Sequence, residues 1–269
     1  MKIKKLIAID MDGTLLLEDN DTLGEYSAKV LSYLNKNGYM VVLASGRPYR
    51  SMKRYYDRIS CKGPMICYNG TQVFSPCDPT FPTYYNPFKK EVVLSIYREA
   101  KDRLSSFMCE SNTDIYAIKE DKYLDTYFPF SDMNIHIGNI EEDLDEDVMT
   151  CLFEAKEEDS ELLEELAEAH PTIGWRHWHY VDYSELYKIG RNKGSALHYI
   201  AEVLGVKKED IISFGDSNND LEMLQEAGTA FCMKGGKGEA LPKLFPTTEK
   251  GNAQEGVAHQ LVKLLNLTI

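Results

Sequence analysis

The stretch Leu6-Ile7-Ala8-Ile9-Asp10-Met11-Asp12-Gly13-Thr14 decides the fold. Leu6 to Ile9 is a short apolar run of the kind that forms a buried parallel strand. It ends abruptly in two carboxylates two residues apart, followed by Gly13 and Thr14. Both acids therefore stand at the strand's C-terminal end, where open α/β sheets bind their ligands. Taken alone, the same residues also read as an acidic turn capping a helix. The rest of the chain weighs against that reading.

Working outward, Tyr26, Val30, Leu31 and Leu34 recur at helical spacing, and Asn37-Gly38 closes that helix. Met40 to Ala44 is a second apolar strand, ending in Ser45-Gly46-Arg47-Pro48, and Pro48 suits the start of a helix over Arg50 to Ile59. Met65 to Tyr68 is a third strand, ending in Asn69-Gly70-Thr71. This alternation predicts a parallel sheet with helices on both faces, each strand end presenting polar residues at one edge. Four prolines between Ser75 and Pro87 then mark a boundary.

The next segment lacks the rhythm. It holds a helix near Lys89 to Leu104 and strand-like pieces, then an acidic run, Glu141 to Asp147, that reads as a solvated loop. Met149 to Phe153 reads as a strand, and Ser160 to His170 as a helix with Ser160 as its N-cap. An aromatic-rich strand comes next over Ile173 to Val181, with Tyr183 to Tyr187 as its partner. The rhythm returns with a helix over Asn192 to Leu204, a strand Ile211 to Phe214, a helix Leu221 to Ala227, a strand Thr229 to Met233 and a closing helix Gln254 to Leu265. The expected fold is a doubly wound, Rossmann-like α/β core, residues 1–82 and 188–269, with an inserted α+β cap domain, 83–187.

The 269 residues are 43% hydrophobic and 27% charged, which describes an ordinary globular chain with a sizeable core. A net charge of −13 argues against nucleic acid or an anionic membrane as partner. The six cysteines are scattered without a paired motif, as expected of reduced, mostly buried thiols. The lysine-rich start precedes only four apolar residues, too few for a signal peptide, and no stretch has the length of a membrane span. A cytoplasmic location is expected.

Four motifs appear in order: Asp10-Met11-Asp12-Gly13-Thr14, Ser45-Gly46-Arg47, Lys193-Gly194, and Gly215-Asp216-Ser217-Asn218-Asn219-Asp220. Together they resemble the motifs of the haloacid dehalogenase (HAD) superfamily of phosphoryl-transfer enzymes. The long insertion, Asn69-Gly70 and the helix around Glu222-Met223-Leu224 resemble its Cof-type subfamily with a large α/β cap of C2 type. The resemblance implies a phosphatase in which Asp10 attacks phosphorus to form an aspartyl-phosphate. Asp12 then protonates the leaving oxygen and later activates water. Asp216, with Asp10 and the backbone carbonyl of Asp12, would hold Mg²⁺, and Asp220 would support the metal. Lys193 would hold Asp10 and the phosphate, while Ser45, Gly46 and Asn219 face the phosphoryl oxygens. The Thr14 hydroxyl can hold its loop or cap the next turn of chain. Arg47 reads equally as a substrate contact or a local cap. Trp175 to Tyr180 invites a metal or substrate reading, with packing inside the cap sheet preferred.

Singly, each motif is an ordinary turn or a surface lysine, and only their ordered combination carries the reading. The chain departs from the family at Met233-Lys234-Gly235-Gly236, over the adjoining Lys237 to Pro246, and in the basic Ile189 to Asn192. Those departures are expected to alter the substrate entrance without touching the chemistry. The expected substrates are small soluble phosphate esters: sugar phosphates, nucleotides or phosphorylated cofactors. The protein is expected to be a monomer or small homo-oligomer. Two alternatives stand beside this: a sugar phosphomutase of the same superfamily, and a non-catalytic sensor of a phosphate ligand. A phosphorylated ion pump shares the aspartate motif but needs membrane spans, which the sequence lacks.

Overall fold

The structure, a computed structural model, describes residues 3–120, 124, 133–159, 161–177 and 183–269. The chain divides into two compact units, Met1–Tyr85 with Arg191–Ile269, and Asn86–Gly190.

In the first unit, strands β1 (Leu6–Asp10), β2 (Met40–Ala44), β3 (Met65–Cys67), β4 (Gln72–Phe74), β5 (Tyr84–Tyr85), β12 (Ile211–Gly215) and β13 (Thr229–Cys232) form one sheet in the order β13-β12-β1-β2-β3-β4-β5. From β13 to β3 the pairing is parallel, as the alternating rhythm requires. Both faces are covered. Leu6, Ala8, Val42 and Ile66 pack with Leu197, Ile200, Met223 and Leu224 of later helices on one side. Ile7, Ile9, Val41 and Leu43 are equally buried, as are Val30, Leu31 and Leu34 of the helix Glu25–Lys36. Each of the larger of these side chains contributes about 1.5–3 kcal/mol by leaving water.

The far edge differs from an all-parallel sheet. β4 and β5 add to β3 as antiparallel strands. β5 lies inside the proline-rich stretch that reads as a boundary, and its pairing with β4 keeps residues up to Tyr85 in the first unit. The division therefore falls slightly later than composition suggests. Among the described residues no helix is long and apolar enough to cross a membrane.

The second unit is a six-stranded sheet of β6 (Leu104–Glu110), β7 (Asp114–Ala117), β8 (Asn134–Ile137), β9 (Thr150–Ala155), β10 (Ile173–His177) and β11 (Ser184–Lys188), in the order β10-β11-β9-β6-β7-β8. All its pairs are antiparallel except β7 with β8. Val93 and Ile96 of the helix Lys90–Ala100, and Leu162 and Leu166 of Leu162–Ala169, pack on Phe107, Cys109, Cys151, Phe153 and Leu186. The acidic run is tethered, not a free loop. Glu141 pairs with Arg98 at 2.7 Å and Lys101 at 2.9 Å, and Asp147 accepts from the Lys90 amide at 3.1 Å. Arg176 faces Glu185 at 3.4 Å and lies over the Tyr187 ring, so it is engaged within the sheet. Ser160, Trp178, His179 and Tyr180 lie outside the described residues. The six cysteines are free thiols, Cys77 exposed and the other five buried.

Candidate active site

Strand register brings the sequence motifs together. Asp10 lies opposite Ala44 of β2, so Ser45 follows at the next position. Ile9 lies opposite Phe214 of β12, so Gly215 and Asp216 follow on the other side. Parallel strands of matched length thus place Asp10, Ser45 and Asp216 on three neighbouring strand ends. After Asp10 the chain winds one wide turn over Met11–Leu15, broken at Asp12 and at Gly13, whose φ is 77°. Glycine is required there twice over. It takes the left-handed φ at little cost, and a β-carbon at that position would lie 2.5 Å from Asp216 Oδ2.

A buried charge cluster sits at this edge. The Lys193 ammonium, at the first position of the helix Lys193–Leu204, donates to Asp10 Oδ1 and, at 2.7 Å, to Asp220 Oδ1. Asn192 caps that helix by accepting from the Ser195 amide at 2.8 Å, which fixes where Lys193 emerges. Asp220 Oδ2 accepts from the backbone amides of Asp216 at 3.0 Å and Ser217 at 3.1 Å. Both oxygens of Asp220 are thus committed. Asp10 Oδ2, in contrast, is buried without a hydrogen-bond partner.

Asp10, Asp216 and Asp220 each offer a carboxylate oxygen, and these lie within 4.8 Å of one another. With all three carboxylates ionised, one buried ammonium leaves two negative charges in the cluster, which a divalent cation would balance. Hard oxygen donors in small number suit Mg²⁺. The unpartnered Asp10 oxygen is the atom that such an ion would satisfy.

The electrostatics agree. Burial, then repulsion from Asp220, pushes the Asp10 carboxyl well above its ordinary pKa despite attraction from Lys193. Burial and Asp220 likewise push Asp216 up to about 6, against the pull of Lys193 and Lys237. Burial alone would lower the Lys193 pKa, but Asp10 and Asp220 outweigh it and hold the ammonium above its usual range. The lysine is therefore the fixed positive charge of the site, and the acids carry the excess.

Asp12 stands apart from this cluster. Arg47 donates to it from both Nε, at 2.9 Å to Oδ2, and Nη2, to Oδ1. The Ser45 hydroxyl lies 3.5 Å from the same carboxylate, and Ser45 Oγ accepts from the Arg47 amide at 3.1 Å. Arg47 thus does more than cap its loop, since it fixes a neighbouring acid in a two-pronged pair. The carboxylate of Asp12 is not among the clustered acids.

Gly46 lies at the exposed tip of the Ser45 loop. Asn219 accepts from the Ser217 hydroxyl and donates to Asn69 Oδ1 at 3.0 Å. Two expectations are corrected. The Thr14 hydroxyl is buried without a protein partner and so neither caps nor holds its loop. The departure after Met233 does touch the acidic loop. Lys237 donates a backbone hydrogen bond to Asp216 and lowers its pKa, and the Gly238 amide donates to the Asp216 carbonyl at 2.9 Å. No spacing rule joins Lys237 to Asp216 across twenty residues of intervening strand and helix, whereas Asn69 was visible as the polar end of β3.

Against known proteins, the chain matches the family described as haloacid dehalogenase-like hydrolase over residues 7–261. It is 33% identical to the 5-amino-6-(5-phospho-D-ribitylamino)uracil phosphatase YitU of Bacillus subtilis, covering 97% of this chain and 98% of that one. It is 28% identical to the HMP-PP phosphatase of Cronobacter sakazakii over 90% of this chain and 86% of the other. Among solved structures, a haloacid dehalogenase-like hydrolase from Bacteroides thetaiotaomicron superposes with a TM-score of 0.84 at 24% identity, covering 97% and 99% of the two chains. That last likeness speaks for the fold.

Proposed function

This chain belongs to the haloacid dehalogenase-like hydrolases and is a phosphatase, and from that premise we propose that it is a Mg²⁺-dependent phosphomonoesterase using Asp10 as nucleophile. The observation that carries the assignment is the Asp10 carboxylate itself. It ends a buried strand, one oxygen held by Lys193 and the other unpartnered beside Asp216.

In the first half-reaction an Asp10 oxygen forms a bond to phosphorus while the ester P–O bond breaks, and the departing oxygen takes a proton from Asp12. In the second, water attacks phosphorus and surrenders a proton to Asp12, the P–O bond to Asp10 breaks, and inorganic phosphate leaves. Arg47 sets where Asp12 stands, and one of its two contacts must open for Asp12 to carry the proton it transfers, since a carboxylate accepting from Arg47 on both oxygens holds none. Lys193 holds Asp10 in one rotamer and offers its charge to the phosphoryl oxygens, where the Ser45 hydroxyl, the backbone of Gly46 and the Asn219 amide also donate. Asp10, Asp216 and the Asp12 carbonyl would hold Mg²⁺, with Asp220 bracing the site from behind through Lys193 and the Asp216 loop. When bound, the ion offsets the repulsion between these carboxylates and an anionic ester.

The substrates are small phosphate esters, either phosphorylated sugars and polyols, nucleotides or phosphorylated cofactors, and no nucleic acid or membrane is involved. A phosphorylated ribityl-aminouracil of the kind named for the Bacillus relative belongs first in the panel. The location is cytoplasmic. The test is phosphate release from a generic aryl phosphate, with Mg²⁺ or with EDTA, by wild type and Asp10→Asn. Turnover that requires both the metal and Asp10 is expected. Equal turnover in EDTA, or in the variant, would refute the assignment.

A further inference from the structure

The third strand end carries a feature that phosphoryl transfer by Asp10 and Asp12 does not use. Directly after β3 the residues Tyr68, Asn69 and Gly70 all have positive φ, 50°, 52° and 100°. Two consecutive side-chain-bearing residues in the left-handed region are costly, and a tyrosine there is a true outlier. Such strain persists only where the surroundings over-determine it, and it gathers at functional sites.

The surroundings here are the other strand ends. The Asn69 amide donates to the Ser45 carbonyl at 2.9 Å, and the Tyr68 amide to the Arg47 carbonyl at 3.2 Å. A β-carbon on Gly70 would lie 2.4 Å from the carbonyl oxygen of Asn192, the residue that caps the Lys193 helix. A β-carbon on Gly46 would lie 2.9 Å from Asn69 Nδ2. On the remaining side Asn69 Oδ1 accepts from Asn219 Nδ2 at 3.0 Å. One strained turn therefore touches the Ser45 loop, the helix that presents Lys193 and the acidic loop at once. Asn69 itself is only 7% exposed.

We propose that Asn69 is a positioning residue for phosphoryl transfer, acting through Asn219. The inference rests on the phosphatase reading and on the role given there to Asn219. An amide nitrogen carries two N–H donors. Asn69 takes one of them, and the Ser217 hydroxyl donates to the other end of the same amide. The side chain of Asn219 cannot then rotate, and its second N–H is aimed before substrate arrives. Preorganised donors of this kind do most of their work in the transition state.

Glycine separates the two uses of this position. It adopts the left-handed conformation more readily than asparagine, so a position that serves the turn alone tolerates Asn69→Gly fully. Steady-state kinetics on a generic aryl phosphate with Mg²⁺, for wild type, Asn219→Ala, Asn69→Gly and the double variant, decide the matter. Asn69→Gly is expected to lower kcat about tenfold with KM within about twofold, because the lost alignment acts in the transition state. Its melting temperature is expected to stay within a few degrees of wild type, and the double variant to be no slower than Asn219→Ala, since the two act as one unit.

Wild-type kcat in Asn69→Gly, or losses that multiply in the double variant, would overturn the inference while leaving the phosphatase reading intact. So would wild-type kcat in Asn219→Ala alongside an inactive Asp10→Asn. Absence of turnover in the wild type would overturn both.

Discussion

Three carboxylates and a lysine lie buried in one cluster of the first unit, whereas the second unit keeps most of its charge in exposed pairs such as Arg98–Glu141 and Lys89–Asp147. The second unit does bury acids, Glu110 and Glu185, but on β6 and β11, strands that are not neighbours. Among the described residues no third acid joins them. Taking several like charges out of water together costs stability, and a fold keeps such an arrangement only where something offsets it. In the first unit the offsets are Lys193 and the backbone amides that hold Asp220. In the second, burial is mostly of the ordinary apolar kind, and its charges cost little because water still reaches them. The contrast is between a unit built around a charged centre and one built around packing.

The largest expected effect removes the cation of the cluster. Lys193→Met leaves Asp10, Asp216 and Asp220 without their buried cation, so it should cost about 3–5 kcal/mol in denaturant unfolding and reduce kcat by at least about 100-fold. A variant that melts like wild type would mean the acids are neutral, and the contrast between the units would collapse. In the second unit the comparable loss comes from packing. Phe153, 2% exposed, belongs to the core that both helices cover; Phe153→Ala should cost about 3–5 kcal/mol by transfer and cavity terms. This loss should not depend on Mg²⁺.

A smaller effect links metal and pH. The folded pKa values of Asp10 and Asp216 are raised, the latter to about 6. Groups shifted in this direction stabilise the fold fully below the unfolded value near 4 and lose that contribution as pH rises through the folded value. Metal-free protein is therefore expected to be penalised at about pH 7.5 relative to about pH 5, and Mg²⁺ to restore more stability at the higher pH, because its ligands must be deprotonated. Thermal melts with Mg²⁺ and with EDTA at the two pH values measure this. An equal gain from Mg²⁺ at both would remove the acids from the metal's ligand set. The smallest effect is at the surface of the second unit: Glu141→Gln should leave the melting temperature indistinguishable from wild type, since both pairs it breaks are exposed.

Much of the first unit was legible because its information is local. Apolar runs that end in Asp10, Ala44 and Phe214 announce parallel strands, and once those strands align, their next residues must meet at one edge. What was not legible is contact at long range. Nothing in the spacing says that Arg47 grips Asp12, that Asn219 leans on Asn69, or that Lys237 approaches Asp216. The hairpin of β4 and β5 was hidden by prolines, because Pro76, Pro79 and Pro82 fill the loop that joins the two short strands. In the second unit short strands pair mostly antiparallel, without a crossover rhythm to fix their order. There the sequence showed strands over Met149 to Phe153 and Tyr183 to Tyr187, found as Thr150–Ala155 and Ser184–Lys188, and the pairing of the latter with the Ile173 strand, but not the order of the whole sheet.

The central claim, that Asp10 is the nucleophile, is tested most directly by trapping. Wild-type protein would be mixed with a generic aryl phosphate and Mg²⁺, quenched in acid within the first turnover, digested and weighed by mass spectrometry. The account predicts one added phosphoryl group on the peptide containing Asp10, lost on incubation at neutral pH and absent in Asp10→Asn. A phosphoryl group on another residue, or product release from wild type with no labelled peptide at any quench time, would contradict it.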